Sequence, residues 1–289
     1  MTVTHQNPCA TTENGLLTSL WAEITGNCPL SCVHCYAGSG PNGTHGTMRP
    51  EDWERVITEA AGIGARFVCF IGGEPTTHPS LSRLVGHALG LGMEVEIFSN
   101  LVHVTPEMWE LFGLPGVRAA TSWYTSDRAE HMQITGRDTF RQTLGNIEQA
   151  VRREIPLRVG LINGILPGQH TAEGEELLRA RGVVSIGCDH LREFGRGTIP
   201  DPSQACGNCG HHRAAVLPDG AVTPCPLTRW MVAGSVHVAG LGEIMASVTD
   251  LAGALPQPAR RAMRDCNPNC VPDSYCNPLC TPGACKPRT

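Results

Sequence analysis

The chain carries no long run of lysine or arginine, and its net charge is −5. A surface that grips nucleic-acid phosphates needs clustered positive charge, so no nucleic-acid partner is expected. No apolar stretch approaches the roughly 18 residues that span a bilayer. The opening residues, MTVTHQNPCATTENG, are polar and lack the apolar centre of a secretory signal. Neither membrane insertion nor export is expected, and the chain reads as cytoplasmic. Aromatic residues make up only 5%, and neither an internal repeat nor a low-complexity segment is present. What remains is a core-forming fraction of 41% hydrophobic residues in a chain of 289. That suits one large domain, or a domain with a smaller module.

Cysteine, by contrast, is abundant. Fourteen Cys in a chain without a signal peptide point to metal ligation in a reducing compartment rather than to disulfides. Cys28, Cys32 and Cys35 form CPLSCVHC, a C-x3-C-x2-C run followed by Tyr36. Three thiolates so close together can hold three corners of a [4Fe–4S] cluster and leave the fourth iron without a protein ligand. An open metal position belongs to a reactive site rather than a structural one.

From 17 to about 197, short apolar runs alternate with helical stretches. The expected strands are 17–25, 65–73, 93–100, 117–124, 157–164 and 183–190. The expected helices are 50–65, 81–91, 106–112, 139–153 and 171–180. This alternation argues for βαβ units and a parallel sheet, an α/β fold. About six units would make a partial (β/α)6 barrel of the TIM type. In such barrels the chemistry sits at the C-terminal ends of the strands, where the cysteine run falls. The expected division is a tail over 1–16, the barrel over 17–198 and a second module over 199–289. Eight Cys fall in that last stretch among many Pro and Gly, a composition that needs metal to supplement a thin core.

Further motifs lie at the strand ends. Gly72-Gly73-Glu74-Pro75 follows the second strand; its glycines allow close backbone approach and Glu74 offers a carboxylate. By itself the segment also reads as a tight turn. Ser99-Asn100 ends the third strand, with short polar side chains suited to a ribose, a carboxylate or an Asx turn. Ser122 ends the fourth, and Phe194-Gly195-Arg196-Gly197 precedes the second module.

Together, CPLSCVHC with Tyr36 and GGEP one βα unit later resemble the signature of the radical S-adenosylmethionine (radical SAM) superfamily. The resemblance implies that Cys28, Cys32 and Cys35 hold a [4Fe–4S] cluster whose open iron binds S-adenosyl-L-methionine. Reductive cleavage then gives methionine and a 5′-deoxyadenosyl radical, which abstracts a hydrogen atom from substrate. It also implies cofactor contacts from Tyr36, Gly72, Gly73, Glu74, Pro75, Ser99, Asn100, Ser122 and Arg196.

The later cysteines resemble a SPASM module: Cys209, Gly220-x4-Cys225, then Cys266-x3-Cys270-x5-Cys276-x3-Cys280, then Cys285. The chain has one residue more between Cys266 and Cys270 than the family pattern. By resemblance Cys206, Cys209, Cys225 and Cys280 hold one auxiliary [4Fe–4S] cluster, and Cys266, Cys270, Cys276 and Cys285 hold another, three clusters in all. Taken as residues alone, Cys206-x2-Cys209 and Cys266-x3-Cys270 also suit tetrahedral zinc.

Cys9, Cys69 and Cys188 are left over. Cys69 lies in an apolar strand and reads as a core residue, Cys9 as an idle thiol in the tail. Cys188 ends a strand near the expected active face, as a packing residue or as a hydrogen-atom donor to a substrate radical. Asp127, Asp189, Glu193 and Arg229 are acid–base candidates by location only; His103, His131, His211 and His212 read as surface or structural. Some dehydrogenases of the family carry Asp after the Gly-x4-Cys cysteine, where this chain has Pro226.

The resemblance implies a ribosomally made peptide as substrate, crosslinked or otherwise oxidised. An auxiliary cluster would accept the electron, and flavodoxin or ferredoxin would serve as reductant. A separate leader-binding protein is expected, since about 16 residues precede the first strand. The alternatives are a sugar or cyclitol dehydrogenase or radical epimerase, a peptide epimerase using Cys188, a three-cluster electron carrier, and a zinc-bound interaction protein.

Overall fold

The computed structural model describes residues 16–196, 198–205 and 209–255. The expectations placed on Cys9, Gly197, Cys206, Cys266, Cys270, Cys276, Cys280 and Cys285 lie outside the described residues.

Strands and helices alternate along the chain: β1 (Ser19–Thr25), α1 (Pro50–Gly62), β2 (Phe67–Gly72), α2 (Leu81–Gly90), β3 (Glu94–Phe98), α3 (Pro106–Phe112), β4 (Val117–Trp123), α4 (Arg128–Thr135), α5 (Phe140–Arg152), β5 (Leu157–Asn163), α6 (Thr171–Ala180) and β6 (Ser185–His190). Then come β7 (Arg213–Val216), β8 (Ala221–Thr223), β9 (Gly234–Ser235) and α7 (Leu241–Gly253). They form a nine-stranded sheet in the order β6-β5-β4-β3-β2-β1-β7-β8-β9. Neighbours from β6 through β1 to β7 pair in parallel, and β8 and β9 add on antiparallel.

Side-chain alternation divides the sheet into two faces. Leu20, Ala22 and Ile24 of β1 join Val68 and Phe70 of β2 in the main core, beneath Trp53 and Ile57 of α1 and Leu84 of α2. Trp21, Cys69 and Ile71 point the other way and form a smaller cluster with Phe67 and Ala215, against which Phe98 packs. The core does not stop at the expected boundary near 198. Ala214 and Val216 of β7 and Ile244, Met245 and Val248 of α7 belong to the same core as β1.

Local signals set the helix ends. Pro106 opens α3 and the Thr105 hydroxyl accepts from the Met108 amide at 3.3 Å. Asp127 caps α4 by accepting from the Glu130 amide at 2.8 Å, and Gly136 closes it at φ 75°. Asp127, an acid–base candidate by location, is thus a helix cap.

The second face carries a buried ionic floor toward the N-terminal ends of the strands. Glu96 of β3, 1% exposed, pairs at 2.8 Å with both Arg118 of β4 and Arg158 of β5. The guanidiniums also lie over apolar rings, Arg118 at 4.7 Å from the Phe67 centroid and Arg158 at 5.5 Å from that of Phe98. Burial alone would raise the Glu96 pKa, but Arg158 and Arg118 outweigh it and hold the carboxyl below its usual value. Cys69, expected as a core residue, is fully buried, and its thiol donates to Glu96 Oε1 at 3.4 Å.

Candidate functional site

Above that floor, at the C-terminal ends of the strands, lies a cavity of about 180 Å³. Cys28, Cys32 and Cys35 all line it. They stand in the loop after β1, which is tied down at several points. The Cys28 amide donates to Gly40 O at 3.1 Å, Ser31 N to Thr135 O at 3.0 Å and Val33 N to Ile134 O at 2.9 Å. The loop is thereby pinned to the end of α4. Arg196 braces it from another side: its amide donates to Cys35 O at 3.0 Å, its Nε to Cys32 O at 3.2 Å and its Nη2 to Ser39 O at 2.6 Å.

Gly73 shows why the turn after β2 needs glycine. A Cβ there would sit 2.2 Å from Asn27 O and 3.0 Å from Cys28 Cβ. Gly72 before it has φ 148°, and its amide neighbour Gly73 N donates to Thr25 O at 2.7 Å. The two glycines let the end of β2 press directly on the cysteine loop.

Glu74 faces inward with 2% exposure. Its Oε2 accepts from the Asn100 amide at 2.7 Å, and its Oε1 from Thr76 N at 3.1 Å and Thr76 Oγ1 at 2.7 Å. Burial raises its pKa against these hydrogen bonds. Glu74 therefore locks the Ser99-Asn100 turn to the GGEP turn. Asn100 Nδ2 in turn donates to Cys28 Sγ at 3.6 Å.

Of the expected cofactor contacts, Tyr36, Gly72, Gly73, Ser99, Asn100 and Ser122 line the same cavity as the thiols. Glu74, Pro75 and Arg196 are not part of its wall: Glu74 and Arg196 brace neighbouring turns, and Pro75 opens a short 3-10 turn. Cys188 is not brought to the cavity. Its neighbour Asp189 pairs with Ile162 on the inward face, so Cys188 faces outward and lies 3.6 Å from Glu175 of α6. Glu193 is exposed. Asp189 pairs with Arg192, and Arg229 pairs with Glu23 of β1.

Burial shapes the electrostatics. It pushes the Cys28 thiol up to about 11 and the Cys32 thiol up to about 12, with the neighbouring thiols adding to the shift. His34 and His131, both in the cavity wall, are driven down to about 4 by burial and are neutral. Glu23 is 1% exposed, and burial raises it to about 7 despite Arg229. Among the described residues, no group of three or more His, Cys, Asp or Glu side chains closes on one point as a single metal ion requires.

Sequence reasoning did not single out Trp21, Phe98, Ile162, His190, Arg192 or Leu227 as cavity residues. Strand alternation carried part of the signal, since Trp21 and Phe98 share the inward phase of β1 and β3. His34, Tyr124 and His131 form a further wall, with ring centroids 5.1 Å and 5.9 Å apart in successive pairs. Further along the chain, Cys209 and Cys225 are buried in one apolar cluster, and the Gly210 amide donates to Pro224 O at 3.0 Å.

A parallel α/β sheet with three cysteines and two glycine-rich or polar turns at one rim defines the class of protein. The family model for the Radical SAM superfamily matches residues 22–180, more than half of the chain, and the chain belongs to that superfamily. Its homologues, a heme synthase and a peptide cyclase among them, are enzymes, and the family uses a [4Fe–4S] cluster and S-adenosylmethionine. Among curated relatives, the AdoMet-dependent heme synthase of Methanosarcina barkeri is 27% identical over 181 residues, covering 62% of this chain and 52% of that protein. The PqqA peptide cyclase of Ruegeria pomeroyi is 29% identical over 151 residues, 50% of this chain and 39% of that one. The chain thus spans about half the length, or less, of these relatives. Among solved structures, anSMEcpe with bound AdoMet superposes with a TM-score of 0.68 at 13% identity, covering 86% of each chain. Streptococcus suis SuiB bound to the precursor peptide SuiA gives 0.66 at 11% identity, covering 93% of this chain and 76% of that one. At such identities the likeness is one of fold. Among the described residues no helix is long and apolar enough to cross a membrane.

Proposed function

We propose that this chain uses radical S-adenosylmethionine chemistry on a partial (β/α)6 barrel to modify a ribosomally made peptide oxidatively, by crosslinking or desaturation. The observation that carries the reading is the convergence of Cys28, Cys32 and Cys35 with Ser99, Asn100 and Ser122 on one cavity. These residues fit a [4Fe–4S] cluster. The donor set is three free thiols in one loop, a number and kind that suit three corners of such a cluster. When bound, the cluster and S-adenosylmethionine supply a hydrogen-abstracting radical.

The chain's own residues position and shield. Gly72 and Gly73 bring the β2 end against the cysteine loop, Glu74 fixes Asn100, and Arg196 holds the loop carbonyls. Cysteine ligates iron as thiolate, so cluster assembly releases the thiol protons and becomes easier as pH rises.

The peptide substrate is supported by the relatives and neighbours that act on or bind peptides: the PqqA peptide cyclase and SuiB with its precursor. Auxiliary clusters in the C-terminal segment form part of the same proposal, with Cys209 and Cys225 close together in one buried cluster. A dehydrogenase or epimerase of small molecules is the second reading; the outward-facing Cys188 weighs against that thiol as its hydrogen donor.

The test is anaerobic incubation of the reconstituted enzyme, a reductant and S-adenosylmethionine with the peptide encoded beside its gene, in deuterated water. A loss of two hydrogens from the peptide supports the reading. An unchanged peptide alongside accumulating 5′-deoxyadenosine would move the substrate to small molecules, and a gain of about one mass unit, from deuterium replacing the abstracted hydrogen, would mean epimerisation.

A further inference from the structure

Polar groups are unevenly distributed around the cavity. The thiols and the Ser99, Asn100 and Ser122 side chains come from the cysteine loop and the ends of β3 and β4. Much of the remaining wall is apolar, built by Trp21, Phe98, Ile162, Leu191 and Leu227. Among the described residues one fixed cation interrupts it, Arg192, which is 6% exposed. Among the described residues no Asp or Glu lines the cavity.

Arg192 is held in place. Its Nη2 lies 3.1 Å and 3.3 Å from the two carboxylate oxygens of Asp189, itself 5% exposed and outside the cavity wall. An arginine buried this deeply costs desolvation, and a fixed counter-ion is what allows it to stay. The planar guanidinium matches a carboxylate in shape, and apolar surroundings strengthen the attraction between opposite charges.

Resting on the reading that this cavity holds cofactor and substrate together, we propose that Arg192 receives a carboxylate of the substrate, with an aromatic or branched aliphatic group of the same substrate seated on the apolar part of the wall. The preferred substrate segment therefore carries a carboxylate next to an apolar group.

The test uses reconstituted holoenzyme saturated with S-adenosylmethionine. Calorimetric titrations compare N-acetylphenylalanine, which keeps its carboxylate, with N-acetylphenylalaninamide, which lacks it. The acid should bind roughly tenfold tighter or more, the scale of a charge-assisted hydrogen bond. Arg192→Gln should erase that preference while S-adenosylmethionine still binds as before. Asp189→Asn keeps the cation and removes its competitor, so the acid should bind more tightly; this variant decides the matter if Arg192→Gln does not fold. Equal affinities for the two probes in the wild type, or binding of neither, overturn the proposal. So does an Arg192→Gln protein that loses S-adenosylmethionine while keeping the acid preference, since the carboxylate would then be the cofactor's. A wild type that fails to bind S-adenosylmethionine at all overturns the parent reading instead.

Discussion

Glu96 and Glu23 both face inward from the same sheet, yet their surroundings differ. On the floor, Glu96 has a guanidinium on either side and is held below its usual pKa. At the rim, Glu23 has Arg229 alone, and burial lifts it to about 7. The thiols nearby are likewise displaced, Cys28 to about 11 and Cys32 to about 12. The floor is electrostatically closed and serves stability. The rim keeps groups away from their preferred ionisation states, as expected where a ligand completes the site.

The two regions should therefore fail differently. The largest effect on stability should come from Glu96→Gln, which leaves two buried guanidiniums without their carboxylate. We expect a loss of about 3–5 kcal/mol in chemical denaturation. The protein that remains folded should still take up iron; a normal melting curve would show the floor to be dispensable.

Glu23 should make stability depend on pH in the opposite sense to a carboxylate whose pKa is lowered on folding, such as Glu96. Its folded pKa lies above its unfolded one, so the folded state binds the proton more readily between about 4.5 and 7. The stability it contributes is fully present below 4.5 and is lost as pH rises through 7, by roughly 3 kcal/mol at most. Thermal melts of Glu23→Gln and wild type at pH 5 and 8 check this: the variant should gain on the wild type as pH rises. A constant difference across that range would remove Glu23 from the account.

At the rim, Gly73→Ala should press a methyl against Asn27 O and the Cys28 side chain. We expect a stability loss of about 1–3 kcal/mol, typical of overpacking, together with poor cluster loading measured as iron per chain. Glu74→Gln should be milder. It keeps the shape but removes the charge that accepts from Asn100 and Thr76, and S-adenosylmethionine affinity should drop roughly tenfold. Should Glu74→Gln melt early but bind the cofactor normally, the floor and the rim would not differ in the way described.

The alternating part of the fold was legible because hydrophobic period and punctuation agreed. Helices 106–112 and 171–180 were expected with the bounds found, Pro106–Phe112 and Thr171–Ala180. The short α4 was missed: its signals are the Asp127 cap and Gly136, while its apolar stripe is weak and mixes His131 with Ile134. β7, β8 and α7 were missed because composition drew attention to the cysteines around them. Yet Leu241, Ile244, Met245 and Val248 recur at helical spacing, and they complete the core beside β1.

Within the site, the cysteines and polar turns could be read because each motif is contiguous. Arg192 could not, because only the folded sheet brings the end of β6 to the cavity that β1 also lines. The bracing contacts of Arg196 were hidden for a similar reason, since its partners Cys32 and Ser39 lie more than 150 positions away.

The most direct test is 5′-deoxyadenosine formation from S-adenosylmethionine by anaerobically reconstituted, reduced wild type and by Cys32→Ala under the same conditions. The account predicts steady formation by the wild type and none by the variant, whose folded state by circular dichroism should match. Equal formation by both, or none by the wild type despite a full complement of iron and sulfide, would contradict the assignment of Cys28, Cys32 and Cys35 to the reactive cluster.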